Sequence, residues 1–152
     1  MKKIITKLPI LLVALFVSLM FSIDAGNMVD SYHFQYQSHI SLLLFFAGML
    51  VLLVSGYSFK KANTTVNPMT PEKSTQLVTA GVYRYSRNPM YVVFLMWLVA
   101  AALFIGNPLS FLLLPVFIIM VNRLYIYPEE QALEKLFDDE FRGYKGEVRR
   151  WL

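Results

Sequence analysis

Four long apolar runs constrain this chain more than any other feature of its sequence. They cover residues 8–23, 40–59, 89–105 and 109–127. Each is close to the roughly 17 to 25 residues that cross a bilayer as a helix, the form in which a chain satisfies its own backbone hydrogen bonds in lipid. With 57% of its 152 residues hydrophobic and only 16% charged, the chain is too apolar for an ordinary soluble domain. The runs therefore predict an all-α integral membrane protein with four transmembrane helices.

The lysines and arginines occur in three blocks, and the two remaining links between the runs carry none. The blocks are the N-terminus, the segment between the second and third runs, and the region from Arg123 to Arg150. With four crossings, all three blocks lie on one side of the membrane, which the positive-inside rule makes cytoplasmic. We therefore predict a protein of the bacterial inner membrane with both termini in the cytoplasm.

The chain is predicted to form a single membrane domain over residues 1–152. Residues 1–59 hold two transmembrane helices, 60–88 a cytoplasmic loop with one helical turn near 71–76, and 89–127 a tight hairpin in which Gly106 closes one helix and Pro108 opens the next. Residues 128–152 are predicted to form a cytoplasmic amphipathic helix, because apolar residues recur there every three or four positions. Gly143 and Gly146 are the points where this helix could break.

An alternative exists at the N-terminus. Residues 1–26 have a basic start, an apolar core and small residues near Ala25, as a cleavable signal peptide does. Ile23 is a poor residue for the third position before a cut after Ala25, and removal of this helix would spoil the charge pattern. The run is therefore interpreted as an uncleaved helix.

The residues that commonly build metal, redox and nucleotide sites are absent or scattered. The chain has no cysteine, and His33 and His39 lie six positions apart without neighbouring carboxylates, so no metal site is predicted. No Gly-x-Gly-x-x-Gly follows a strand, and membrane spans separate the basic residues, so no nucleic-acid partner is expected. Gly48 and Gly56 in the second run predict close helix packing.

Residues with chemical potential gather at the two open ends of the hairpin. The third run is preceded by Arg84, Arg87 and Asn88, and the fourth is followed by Glu129 and Glu130. A helix start beside arginines suits a carboxylate or phosphate, and paired carboxylates suit a cation. If both ends face the same water, they predict a site for a zwitterionic ligand. The tyrosines that could line this site are Tyr83, Tyr85, Tyr91, Tyr125 and Tyr127.

Each of these residues also has a purely structural interpretation. Asn88 and Pro89 are a good N-cap and first residue for a helix. The arginines can snorkel to lipid phosphates, and acidic residues favour the first turn of a helix. Tyrosines belong to the aromatic belts of membrane interfaces. The functional interpretation depends on all of them meeting at one membrane face.

The order of these motifs resembles a known family. The segments TTVNPMTPEKSTQLVTAGVYRYSRNPMY and EEQALEKLFDDEFRGYKGEVRRWL, separated by the hairpin, resemble the integral-membrane methyltransferases of the isoprenylcysteine carboxyl methyltransferase and phospholipid methyltransferase superfamily. The resemblance covers residues 64–152, and its most specific parts are the Arg-Asn-Pro-Met-Tyr block and the Glu-Glu pair. The first two helices resemble the family only as hydrophobic spans.

This resemblance implies S-adenosylmethionine as the cofactor, bound without a Rossmann domain, and a lipid or lipid-like methyl acceptor in the membrane. The zwitterionic methionyl part of that cofactor agrees with the charge pattern. The residues that the resemblance assigns to the cofactor pocket are Gly81, Val82, Tyr83, Arg87, Asn88, Pro89, Tyr91, Glu129 and Glu130.

The chain departs from the family in three respects. The isoprenylcysteine enzymes usually have histidine at the position of Asn88, and glycine is common at the position of Val93. The Gly-x-Gly of the phospholipid enzymes has no clear counterpart. These differences concern the acceptor more than the cofactor.

Methyl transfer from a sulfonium needs alignment and exclusion of water but no covalent protein nucleophile. No catalytic base is assigned, and Glu129, Glu130 and Tyr91 are the nearest candidates. Arg123 is the candidate for holding an anionic group of the acceptor. The acceptor remains open among a phospholipid amine, a prenylcysteine carboxylate and a small thiol or phenol. The alternative function is that of a non-catalytic four-helix membrane protein that binds lipid headgroups or a partner complex.

Overall fold

The computed structural model describes residues 9–26, 28–61 and 76–152. These residues form helices and connecting turns, which confirms the predicted helical class. The helices are α1 (Pro9–Ala25), α2 (Gln37–Lys61), α3 (Pro89–Ile105), α4 (Pro108–Phe111), α5 (Leu113–Val121) and α6 (Tyr127–Glu147), with a 3-10 turn at Gly81–Arg84 and a π-helical turn at Asn122–Ile126. The helical turn predicted near 71–76 falls on residues that lie, except for Gln76, outside the described ranges.

Two helices are long and apolar enough to cross a membrane. One is α2, over Gln37–Ser58, and the other is the helical stretch Pro108–Glu147, which contains α4, α5 and α6, is kinked at Asp138 and is called here the long helix. The helices α1 and α3 are also apolar but have 17 residues each. At 1.5 Å per residue each measures about 25 Å, somewhat less than the roughly 30 Å of a hydrocarbon core.

The chain does not break at Pro128, where the sequence predicts the start of a separate helix. Proline lacks an N–H, and in a regular α-helix its ring clashes with the carbonyl four residues earlier. The π-helical turn Asn122–Ile126 stands immediately before it, and the Tyr127 N–H donates to the carbonyl of Asn122. This wider turn lets the helix continue through the proline. The helix therefore continues through Pro128 as far as Asp138, where the backbone leaves helical geometry. Beyond this kink the chain returns toward the preceding turns, since Lys145 Nζ lies 3.0 Å from Glu134 Oε2.

The C-terminal helix α6 differs from the predicted segment 128–152 in two further places. Its backbone leaves helical geometry at Asp138 (φ 36°, ψ −109°), where the helix is kinked. The helix then continues through Gly143 and Gly146, where the sequence suggested a break. The helix ends at Glu147, and Val148 has extended backbone angles (φ −117°, ψ 134°). Residues 148–152 therefore form a non-helical segment, called here the C-terminal strap.

The core lies where α1, α3 and α5 meet. Phe16 of α1 packs edge-on against Phe117 of α5, with ring centroids 5.3 Å apart, and Leu98 of α3 is fully buried. The helix α2 packs mainly on α3 and exposes a long apolar face, an arrangement that is unusual for a soluble monomer and suits contact with lipid. The exposed side chains of that face include Leu43, Phe46, Leu50, Leu53 and Tyr57.

The hairpin turn forms as the sequence predicts. Gly106 ends α3 in the left-handed region (φ 78°), and a Cβ there would lie 2.5 Å from the carbonyl oxygen of Tyr32. The Asn107 side chain accepts a hydrogen bond from the Leu109 N–H (3.0 Å) and donates to Asp24 (3.3 Å). Because Asn107 is fully buried, these bonds tie the hairpin to the end of α1.

Gly48 permits the close approach of α2 and α3, whereas Gly56 does not contribute to it. A Cβ at Gly48 would lie 2.8 Å from the Trp97 Nε1 atom. That indole is fixed by a hydrogen bond from Nε1 to the Phe45 carbonyl (3.1 Å) and by stacking on the Phe45 ring. Among the described residues, no atom lies within 4 Å of a Cβ placed at Gly56.

Gly48→Ala should therefore destabilise the protein by about 1 to 3 kcal/mol through overpacking against Trp97. Gly56→Ala should leave the stability unchanged or raise it, because alanine is the better helix former. Thermal unfolding of both variants in the same detergent tests this pair. A similar midpoint for the two variants would show that Trp97 yields to the added methyl group.

Candidate functional site

The segment before α3 combines a tight turn with a helix start. Gly81 opens the turn with φ 66°, a region in which a glycine is not strained. Asn88 and Pro89 are the N-cap and first residue of α3, as predicted. The Asn88 side chain makes no capping bond, however; its Nδ2 donates to the carbonyl of Arg150 (2.9 Å). The helix start therefore also holds the C-terminal strap.

The carboxylate of Glu130 lies between two guanidinium groups. Arg87 Nη2 donates to Oε1 (2.9 Å), while Arg150 donates through Nε to Oε1 (3.2 Å) and through Nη2 to Oε2 (2.6 Å). The side chain of Glu130 is 7% exposed and that of Arg87 is 10% exposed. Burial opposes ionisation of this carboxyl, but the hydrogen bonds from Arg150 and Arg87 outweigh it and lower the pKa of Glu130. The predicted approach of Arg87 to the carboxylate pair is thus confirmed.

Arg87 also determines where α6 ends. Its Nη1 donates to the carbonyls of Lys145 (3.0 Å) and Val148 (2.6 Å), and its backbone N–H donates to the carbonyl of Arg149 (3.0 Å). In a continuing helix the Lys145 carbonyl would accept from the N–H four residues later. The buried Nε of Arg87 has no hydrogen-bond partner in the described part of the chain.

The neighbouring carboxylate, Glu129, has different surroundings. It is partly buried, and its Oε2 accepts a hydrogen bond from the Tyr91 hydroxyl (3.2 Å). Tyr91 in turn lies beside Tyr125, with ring centroids 6.1 Å apart. Burial raises the pKa of Glu129 to about 7; the Tyr91 hydrogen bond acts against this shift and the charge of Glu130 adds to it. Within the described ranges Glu129 has no ion-pair partner.

The other predicted site residues are distributed as follows. The carbonyl of Val82 accepts from the N–H groups of Tyr85 and Ser86, so it is occupied within its own turn. Tyr83 is buried, and its carbonyl accepts from the Tyr144 hydroxyl (2.6 Å). Arg84 and Arg123 are exposed and form no hydrogen bond or ion pair with any described residue. Of the tyrosines expected to line the site, Tyr83, Tyr91 and Tyr125 are buried, whereas Tyr85 and Tyr127 are exposed.

Several residues of this region were missed by the sequence analysis. They belong to the strap and its contacts: Arg150 binds Glu130, Trp151 Nε1 donates to Asn122 Oδ1 (3.2 Å), and Ser86 Oγ donates to the Arg150 carbonyl (3.5 Å). The only sequence signal was the basic pair Arg149-Arg150, which could form ion pairs with Glu129 and Glu130. Nothing local distinguishes Arg150 from Arg149.

Comparison with known proteins identifies the family of this chain. The chain belongs to the phospholipid methyltransferase family, which matches residues 36–140. The match begins before α2, so the second helix belongs to the family region and is more than a generic hydrophobic span. No solved structure matches the chain.

Curated relatives include methyltransferases of fungi and plants. The protein-S-isoprenylcysteine O-methyltransferase of Saccharomyces cerevisiae is 32% identical over 102 residues, which are 65% of this chain and 40% of the yeast protein. The probable protein-S-isoprenylcysteine O-methyltransferase of Oryza sativa subsp. indica is 29% identical over 118 residues, 76% of this chain and 60% of that protein. The chain thus spans less than two thirds of either. An uncharacterized protein of Haemophilus influenzae is 46% identical over 63 residues, 41% of this chain and the whole of that protein.

Replacement of Arg87 by methionine should destabilise the protein by about 3 to 5 kcal/mol, because it leaves Glu130 without one of its buried charge partners. Arg84→Met is the matched control: it removes the same charge from the same segment but from an exposed side chain without partners among the described residues. Thermal unfolding in detergent should separate the two. Equal stability of the two variants would mean that Arg87 does not hold the strap in solution.

Proposed function

We propose that this protein is an S-adenosylmethionine-dependent methyltransferase that acts on a lipid or lipid-like acceptor at the cytoplasmic face of the membrane. Family membership supports the reaction class. The observation that supports the cofactor is the meeting of Arg87, Tyr91, Glu129 and Glu130 at one end of the helical hairpin. Positively and negatively charged side chains lie there beside aromatic rings. This combination suits a ligand that carries both a carboxylate and positively charged groups.

The residues present fit the charges of this cofactor. The Nε–H of Arg87 has no hydrogen-bond partner among the described residues, so it can donate to a carboxylate of the ligand. Glu129 and the tyrosines Tyr91 and Tyr125 can face an ammonium or sulfonium, because a carboxylate and an aromatic face both attract cations. When bound, the cofactor would supply a methyl group already activated on a positively charged sulfur.

The task left to the chain is to orient the reacting groups and to exclude water. Tyr91 holds the Glu129 carboxylate through its hydroxyl group, and the buried pair of Arg87 and Glu130 holds the start of α3 against α6. No covalent nucleophile is required. If the acceptor must lose a proton, Glu129 is the best candidate for the general base. Burial raises its pKa to about 7, which suits a group that accepts a proton at neutral pH.

The proposed orientation follows from the charge distribution. Four crossings, made by α1, α2, α3 and the apolar half of Pro108–Glu147, place all the basic blocks on the cytoplasmic side together with this site. The exposed arginines Arg84 and Arg123 then lie where lipid phosphates are found. An acceptor with an apolar chain would approach sideways from the bilayer. The names of the family and of the relatives support a lipidic acceptor and leave the phospholipid, prenylcysteine and small-molecule classes to experiment.

Binding of S-adenosylmethionine to the purified protein, measured by calorimetry in a neutral detergent, tests the proposal. The wild-type protein should bind saturably, and membranes containing it should transfer labelled methyl groups into lipid, protein or a volatile product. Glu129→Gln should weaken binding by roughly ten- to a hundredfold, since a charge-assisted contact is lost. The control is Glu140→Gln, an exposed carboxylate of the same helix. Absence of saturable binding by the wild type would favour the non-catalytic alternative.

The affinity for S-adenosylmethionine should also depend on pH through Glu129. Because its pKa is raised to about 7, this carboxyl carries a proton below that pH and loses it above. A cation binds the ionised form, so affinity should rise as the pH increases through about 7. The same pH titration with Glu129→Gln is the control. It still reports any ionisation of the ligand itself, but the rise in affinity due to Glu129 should be absent. Parallel pH profiles for the two proteins would assign the dependence to another group.

A further inference from the structure

The C-terminal strap is bonded to the candidate site along its length. Three successive carbonyls, those of Val148, Arg149 and Arg150, accept hydrogen bonds from Arg87 Nη1, the Arg87 N–H and Asn88 Nδ2. Trp151 packs against the core and donates to Asn122 in the π-helical turn. The strap thus joins the start of α3 to the long helix, and it does so at Arg87 and Asn88, which the family resemblance assigned to the cofactor pocket.

Two adjacent arginines of the strap have opposite surroundings. The Arg150 side chain is 39% exposed and reaches both oxygens of Glu130. The Arg149 side chain is exposed and forms no hydrogen bond or ion pair with any described residue. Arg149 therefore serves as a matched control for Arg150, because the two side chains have the same charge and adjacent positions.

We propose that Arg150 is a positioning residue of the cofactor site: it occupies Glu130 and holds the strap, and it thereby leaves Arg87 Nε and Glu129 to face the ligand. The proposal rests on the proposed function and deepens it by dividing the acidic pair into one carboxylate that binds the strap and one that binds the cation. Arg150 acts through Glu130 and Arg87 and is not itself assigned a contact with the ligand.

The geometry favours this division over competition between Arg150 and the ligand. Both oxygens of Glu130 already accept hydrogen bonds, three in all from two guanidinium groups. A ligand ammonium that took Glu130 would have to displace a bidentate arginine from a side chain that is 7% exposed, and a buried carboxylate is costly to leave partly paired. Glu129, in contrast, is held by a single tyrosine hydroxyl and can accept a cation without breaking an ion pair.

The test compares Arg150→Met, Arg150→Lys and Arg149→Met in full-length protein in a neutral detergent. Calorimetry with S-adenosylmethionine and, separately, with its demethylated product gives the dissociation constants. Arg150→Met should weaken binding of both by roughly ten- to a hundredfold. This is the equivalent of one charge-assisted hydrogen bond between the ligand and Arg87 or Glu129, which would lose their positions when the strap is released. Arg150→Lys should restore part of this loss, and Arg149→Met should bind as the wild type does.

A double variant shows whether Arg150 acts through Glu130. If it does, Arg150→Met should have little further effect on binding in a Glu130→Gln background, because the two residues then belong to one unit. The thermal unfolding midpoint of every variant is measured alongside, and Arg150→Lys serves in place of Arg150→Met if the latter does not fold.

The outcomes separate the two proposals. Wild-type protein that fails to bind S-adenosylmethionine overturns both. Wild-type binding with equal dissociation constants for Arg150→Met and Arg149→Met overturns the positioning role alone. Tighter binding by Arg150→Met would also overturn it, since that result would make Arg150 a competitor of the ligand for Glu130.

Discussion

The structure depends on one buried carboxylate, that of Glu130, and on the two arginines that neutralise it. Arg87 comes from the segment before α3, Glu130 from the middle of the long helix and Arg150 from the strap. A carboxylate this deeply buried is tolerable only if its charge and lone pairs are satisfied. The three segments must therefore converge at one point, and their convergence builds the end of the bundle where the candidate site lies.

Two carboxylates that are adjacent in sequence obtain opposite properties from this arrangement. Guanidinium hydrogen bonds prevail over burial at Glu130 and lower its pKa, whereas burial prevails at Glu129 and raises its pKa to about 7. Paired groups whose surroundings push their pKa values apart are a recurring feature of sites that do chemistry. This separation is the basis for the proposal that Glu130 has a structural task and that Glu129 binds the ligand.

The long helix Pro108–Glu147 brings this site to the edge of the apolar region. Its apolar part ends near Tyr127, and the acidic pair follows within one turn. The π-helical turn Asn122–Ile126 allows the chain to pass Pro128 without ending the helix, and it also places Asn122 where Trp151 binds it. The same irregular turn thus serves both the continuity of the helix and the attachment of the strap.

The sequence by itself determined the helical class, the tight hairpin at Gly106-Asn107-Pro108 and the start of α3 at Asn88-Pro89. The hairpin also predicted that Arg87 and the acidic pair lie at the same end of the bundle. These features depend on local signals, namely apolar runs, caps and the short link that forces two helices side by side. The sequence of residues 36–140 is also sufficient to identify the family.

Only the tertiary structure decided which carboxylate and which arginine turn inward, where α6 ends and whether Pro128 breaks the helix. Adjacent identical residues have the same propensity and the same charge, so no local rule separates Glu129 from Glu130 or Arg149 from Arg150. The choice depends on the rotation of the long helix and on contacts such as Arg87 to Glu130, 43 positions apart, and Asn88 to Arg150, 62 positions apart. Such contacts exist only once the bundle has assembled.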